Sequence, residues 1–356
     1  MAAPKRIGVL TFHRCINYGS YWQARCLVEG LRARGHDAVI LDHASPKVNV
    51  AEWRVALRPT LPTPVPKTDV EHYACKTRKL ISEVDRLPLS RPFDLERPEE
   101  MEPFDTVVIG SDEVWNLHHP WFAGVPAFFG VGLKAKRCVS YAASFGNHSC
   151  WEGLGVPYTD FLRDLDAISV RDENSWWMIK NSLGMETEMV LDPCLQFPIA
   201  PEGEWKGPRG PFALVYGHNF SPVFAKRVRQ WANERGLPLV SLGYRNDWAD
   251  VQWLDASVHD IAHAIAHAEA VATNFFHGCV FSLRNGRPFA CEVSPYRSIK
   301  VRGLMELLGG EERLVPDGEI GGLLDRPCDF SARLEELRGT SNAYLDRVLG
   351  SGVWKS

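Results

Sequence analysis

The chain has 356 residues, 45% of them apolar and 24% charged, which suffices for two ordinary domain cores and excludes a disordered chain. Its formal net charge is −4, from 40 basic and 44 acidic residues with no basic block, which argues against a non-specific nucleic-acid binder. No apolar run approaches the ~20 residues of a membrane span.

The opening MAAPKRIGVLTF passes from one basic pair straight into a strand-like run, unlike a signal peptide. Nine cysteines without a CxxC pair read as reduced, mostly buried thiols of a cytoplasmic protein. RIGVLTF (6–12) reads as a strand buried on both faces of a parallel sheet. A helix is predicted from about Ser20 to Arg34, with Ala24, Leu27, Val28 and Leu31 as its apolar stripe. Ser20 and Gln23 fit a capping box, and Gly35 fits a left-handed stop. DAVILDH (37–43) is the second strand, so a right-handed crossover is expected.

The proline-rich stretch 46–66 reads as an irregular excursion, followed by a helix near 69–86. Strands are predicted at 106–110, 137–143, 166–171 and 188–192, with helices at 158–165 and 173–183. These make six strands in a doubly wound domain over residues 1–198, with an insertion at 44–104. PIAPEGEWKGPRGP (198–211) is the expected linker. A second domain, 205–356, has strand candidates at 212–218, 238–243, 251–255, 269–274 and 288–293. Its helices are expected at 222–235, 259–268, 276–285, 299–309 and 329–349. The expected fold class is α/β, with two Rossmann-like doubly wound domains facing a cleft.

In open α/β sheets, ligands gather outside the carboxyl ends of the strands. Those ends carry His13, Asn17, Tyr18, Gly19, Ser111, Asp112, Ser144, Arg171 and Asp192 in the first domain. In the second they carry His218, Tyr244, Asn274 and His277. In HRCINYGSYWQ (13–23), Gly19 permits close approach, and the amides of the helix starting at Ser20 would favour an anion. Neither GxGxxG nor GxxxxGK[ST] is present, so Asp42 reads as a solvated strand-end acid rather than a ribose ligand. Asp112 in IGSDEVWN (109–116) is a general base or acid, or else a helix cap. Arg171 in SVRDENSWW (169–177) is an anion clamp, or else pairs with Asp172 or Glu173. His277 in TNFFHGCVF (273–281) is a proton shuttle or oxygen ligand, or else a structural histidine. No metal site is expected: His118 and His119 are adjacent and cannot share a face, and His259, His263 and His267 read as a solvated helix face. There is no GxSxG elbow.

Six strings, NYGSYWQARCLVEGL (17–31), VVIGSDEVWN (107–116), SYAASFG (140–146), ISVRDENS (168–175), VLDPCL (190–195) and NFFHGCVFSL (274–283), together closely resemble the polysaccharide pyruvyl transferase family. The resemblance implies a GT-B-like fold and transfer of a pyruvyl group from phosphoenolpyruvate to sugar hydroxyls, giving a pyruvate ketal and phosphate. It places the family's GSDxxW aspartate on Asp112, its S-V-R-D/E arginine on Arg171 and its FHG histidine on His277. Where some members carry arginine two positions before that histidine, this chain has Phe275. The catalytic pair is then Asp112 and His277, in either assignment of acid and base. The expected substrate-binding set is Asn17, Tyr18, Gly19, Ser20, Ser111, Ser144, Arg171, Asn274, Phe276 and Gly278.

The expected partners are phosphoenolpyruvate, as co-substrate in place of any cofactor, and a glycan or lipid-linked saccharide. A lipid-linked acceptor allows peripheral membrane association, and self-association stays open. Trp115, Trp121, Trp176, Trp177, Phe275 and Phe276 are candidates for stacking on sugar rings, though core packing is the plainer reading. Two other functions fit the same architecture: a nucleotide-sugar glycosyltransferase, and a non-catalytic sugar-binding member of the family.

Overall fold

A computed structural model describes residues 4–43, 45–293 and 298–350. The outer ends of the expected domains, residues 1–3 and 351–356, lie outside the described residues. The chain opens with β1 (Arg6–Leu10), α1 (Tyr18–Ala33), β2 (Asp37–Ile40), α2 (Pro46–Leu57) and α3 (Lys67–Val84). Next come β3 (Phe104–Ile109), β4 (Ala135–Ser140), α4 (Tyr158–Arg163), β5 (Ser169–Val170), α5 (Glu173–Leu183), β6 (Glu188–Met189) and α6 (Pro193–Gln196). Then follow β7 (Ala213–Tyr216), α7 (Pro222–Glu234), β8 (Leu239–Leu242), β9 (Val251–Trp253), α8 (Val258–His267) and β10 (Ala270–Thr273). The chain closes with α9 (Phe276–Arg284), β11 (Phe289–Glu292), α10 (Ser298–Leu308), β12 (Leu314–Val315) and α11 (Ser331–Leu349).

These elements form two α/β units. One takes in the chain up to Asn49, Val84–Pro198 and everything from Ala332 on; the other holds Val50–Glu83 and Ile199–Ser331. The first unit has a parallel sheet in the order β2-β1-β3-β4. The parallel pair β5-β6 follows as a separate two-stranded sheet, linked by single bridges Val139↔Ala167 and Ala143↔Val170. The six strands expected here are therefore four plus two, because β5 and β6 keep only two paired residues each. Ile7, Val9, Leu10, Val107 and Ile109 are fully buried, which is why these strands read as unbroken apolar runs.

The second unit carries a six-stranded parallel sheet, β12-β11-β10-β7-β8-β9, again with fully buried central strands. Its β12, only two residues long, is too short to register as hydrophobic periodicity.

Two segments leave the sequential order. Helix α3 belongs to the second unit, held across the carboxyl ends of β8 and β9. Lys76 Nζ donates to Gly243 O at 2.7 Å, the Tyr73 hydroxyl accepts from Arg245 N at 3.1 Å, and Lys79 Nζ donates to Asp255 O at 2.7 Å. Helix α11 belongs to the first unit. Tyr344 donates to Ser140 O at 2.6 Å, Leu191 N donates to Ser341 Oγ at 2.9 Å, and Arg347 pairs with Glu188. A division drawn along the sequence assigns both helices to the opposite unit, since periodicity finds a buried face but not what buries it.

Two local expectations also change. Residues 46–57 are helical, not irregular: Pro46 sits at the first helical position, where its missing N–H costs nothing, and the remaining prolines follow the helix. Helix α1 starts at Tyr18 with Asn17 as its cap, its side chain accepting from Gly19 N and Ser20 N. The side chains of Ser20 and Gln23, expected to form the capping box, are engaged elsewhere.

Candidate active site

The carboxyl ends of β1, β3, β4, β5 and β6 put one buried polar cluster on the first unit. The chain leaves β3 through Gly110, φ 111°, where a Cβ would lie 2.4 Å from Tyr141 O, so only glycine fits. Asp112 follows with a left-handed φ of 75°, a conformation that costs a side-chain-bearing residue on the order of 1 kcal/mol. Ser144 N donates to the Asp112 carbonyl at 3.0 Å and holds it there. The expected helix cap does not form, because a turn and no α-helix follows; Asp112 Oδ1 accepts from the next amide, Glu113 N, at 2.9 Å.

Ser20 and Arg171 converge on that aspartate, and Gln23 braces the cluster from beside it. Ser20 Oγ donates to Asp112 Oδ2 at 2.8 Å. The Arg171 guanidinium reaches Asp112 Oδ1 at 3.4 Å and Asp192 Oδ2 at 2.8 Å. Gln23 Oε1 accepts from Ser111 Oγ and, at 3.4 Å, from Arg171. Arg171, only 2% exposed, lies between two carboxylates; burial opposes its charge, but Asp192 and Asp112 outweigh that and raise its pKa. Asp172 adds to the negative charge around it and caps α5, accepting from Ser175 N at 2.8 Å. Here Arg171 joins the carboxylates of Asp112 and Asp192.

The other predicted residues of this unit fall around the cluster. Asn17 caps α1, and by taking the amides of Gly19 and Ser20 it occupies donors expected to face an anion. Tyr18 and Ser144 are buried, and Ser144 Oγ accepts from Gly146 N at 2.9 Å. Asp42 is not solvated. It is 4% exposed, 3.0 Å from His13 Nε2, and accepts from Arg14 Nε at 2.6 Å. Burial pushes its carboxyl up, but the bonds to His13 and Arg14 prevail and hold it far below the usual carboxylate range. Trp115 is core: fully buried, with Nε1 donating to Phe128 O at 2.8 Å. Sequence reasoning left Asp192 and Gln23 out of the site. Asp192 had only its strand-end position as a signal, and Gln23 fitted a cap.

On the second unit, β10 ends in Asn274, whose Nδ2 donates to His218 O at 2.7 Å. Phe275 packs against Tyr216, His218 and Tyr244 at ring distances of 4.9, 5.4 and 5.4 Å. Phe276 is buried, and the half-buried His277 stands in the first turn of α9. Gly278 lets that turn approach β10: a Cβ there would come within 2.0 Å of Thr273 Oγ1. Lys76, which has no motif to reveal it, joins this group, its ammonium 4.3 Å from the centre of the Tyr244 ring and drawn down to about 7 by burial. The stripe on α8 is a solvated face only in part: His267 is exposed, stacking on Trp205 at 4.8 Å, and His263 is half-buried, whereas His259 is buried with its Nδ1 accepting from Glu202 N at 3.1 Å.

Two α/β units with parallel sheets, polar at their carboxyl ends, define a Rossmann-like fold of the GT-B class. The polysaccharide pyruvyl transferase family profile matches residues 17–292, and the chain belongs to that family. No curated protein matches the sequence. Among solved structures, a candidate UDP-N-acetylglucosamine 2-epimerase from Listeria monocytogenes is similar at TM-score 0.50 and 9% identity, over 98% of this chain and 96% of that one. The UDP-GlcNAc 2-epimerase of Neisseria meningitidis gives 0.49 at 8% identity, over 96% and 99%. The glycosyltransferase SnogD of Streptomyces nogalater gives 0.43 at 15%, over 98% and 100%. At such identities the likeness concerns fold alone. No described helix is long and apolar enough to cross a membrane.

Proposed function

We propose that this chain transfers the pyruvyl group of phosphoenolpyruvate to two hydroxyls of a sugar in a cell-surface polysaccharide or its lipid-linked precursor. The reading rests on family membership across residues 17–292, joined to one observation: Asp112 is held in a left-handed conformation by Ser20, Arg171 and the Ser144 amide. Strained polar residues that their surroundings over-determine are characteristic of working sites.

The reaction requires a proton on the methylene carbon of phosphoenolpyruvate, which leaves positive charge on the adjacent carbon. One sugar hydroxyl adds there and loses its proton; the phosphate C–O bond breaks; the second hydroxyl closes the ketal and loses its proton. One hydroxyl proton balances the new methyl group, and the other leaves with phosphate. Asp112, beside Arg171, takes a hydroxyl proton or steadies the cationic carbon. His277, on the first turn of α9, donates the methylene proton or binds phosphate. Arg171 is a positioning residue that sets the orientation of Asp112. Release of phosphate from phosphoenolpyruvate in the presence of a panel of glycans, with a new ketal methyl resonance in the product, tests this reading. No phosphate release with any glycan counts against it.

A further inference from the structure

We infer that His118, His148 and Glu152 form a divalent-metal site of the zinc type, joining the loop after β3 to the loop after β4 on the first unit. One ligand atom from each of the three lies within 4.8 Å of the others. His118 Nε2 and Glu152 Oε2 are 3.3 Å apart. That is the spacing two ligand atoms take about a tetrahedral zinc with bonds of roughly 2.0–2.2 Å. The two imidazoles face each other at 4.9 Å between ring centres. Adjacency to His119 conceals this in the sequence. His119 turns away, its Nδ1 accepting from Trp121 N and Phe122 N at 3.2 Å, while His118 finds partners some thirty residues on.

The surroundings hold the ligands in place. His148 is 5% exposed, and its buried Nδ1 has no hydrogen-bond partner, an omission that ordinarily costs ~1–3 kcal/mol. A metal at either ring nitrogen would turn a buried polar group into an anchored one, the other nitrogen carrying the proton. Its backbone is fixed by His148 N donating to Phe145 O at 3.0 Å and Asn174 Nδ2 donating to His148 O at 2.9 Å. Asn116 joins the two loops from below, accepting from His118 N at 2.9 Å and donating to Asn147 Oδ1 at 2.7 Å. Glu152 spends Oε1 on Ser149 N, at 3.0 Å, and turns Oε2 to His118.

Two imidazoles and one carboxylate suit zinc or cobalt, not calcium or magnesium, and three protein ligands leave a fourth position for water. The side chains of His118 and Glu152 are each 47% exposed, so an ion reaches them from solvent. The loops it clips are those that carry Asp112 and Ser144; the inference stands apart from the pyruvyl-transfer reading.

The test uses the full chain freed of metal by a chelator and titrated with Co2+, then with Zn2+ in competition. One equivalent of Co2+ with the intense visible absorption of tetrahedral coordination, and a rise in the unfolding temperature with Zn2+, are expected. His118→Ala and Glu152→Ala, both at half-exposed positions that fold without difficulty, lower the Zn2+ affinity on the order of 100-fold and abolish the Co2+ spectrum. Absence of stoichiometric binding would overturn the inference. So would binding that survives His118→Ala, which would assign the metal to other histidines and leave His118 and Glu152 a surface ion pair.

Discussion

Ser20 Oγ donates a 2.8 Å hydrogen bond to Asp112 Oδ2, tying the first turn of α1 to the turn after β3. Bonds to a charged acceptor are worth ~1.5–3 kcal/mol, about 10- to 100-fold in rate if they are needed to aim the carboxylate. Ser20→Ala therefore lowers kcat for phosphate release by at least about tenfold, with KM for phosphoenolpyruvate little changed. An unaltered kcat would remove Ser20 from the orienting role.

Arg171 sits between Asp112 and Asp192, and its loss leaves two buried carboxylates facing each other. Removing one partner of a buried ion pair typically costs ~3–5 kcal/mol. Arg171→Met is accordingly expected to lower the urea midpoint strongly, with partial recovery when Asp192→Asn is added. A loss below about 1 kcal/mol would mean that the pair is not what stabilises this rim.

Gly278 lies so close to Thr273 that Gly278→Ala must push α9 away from β10. Overpacking of this kind costs ~1–3 kcal/mol. Because His277 is the neighbouring residue, kcat falls together with stability. Full activity in a destabilised Gly278→Ala chain would show that the position of His277 is not critical.

Much of this was legible in the sequence, for identifiable reasons. Strands such as β1 and β7 are buried on both faces, so they stand out as apolar runs, and polar residues then collect where those runs end. That placed Ser111, Asp112, Ser144 and Arg171 on one rim. Misreadings arose where a local pattern admits two partners. Ser20 and Gln23 satisfy the spacing of a capping box, but Asn17 caps α1 and frees both side chains for the cluster. Asp42 ends a strand like any surface acid, and only the fold brings His13 and Arg14 against it. Lys76 resembles any lysine of an amphipathic helix until α3 lies across the end of β8.

Acid should weaken the fold through His43. Burial, reinforced by the neighbouring His13, brings its pKa down to about 3 from an ordinary 6.5. Between those values the unfolded chain binds a proton that the native one does not, so stability rises with pH across this window. Urea unfolding from pH 7 to 5 is expected to show a loss of up to about 1.4 kcal/mol per pH unit from this group. In His43→Phe the slope is shallower; an equal slope would show that His43 titrates normally.

The sharpest experiment compares phosphate release from phosphoenolpyruvate, with ketal detection on the glycan, in the unaltered chain, Asp112→Asn and His277→Ala. Ketal-forming release that falls on the order of 100-fold or more in each variant is the expected result. Near-normal turnover in both variants, or turnover of a nucleotide sugar in place of phosphoenolpyruvate, would contradict it.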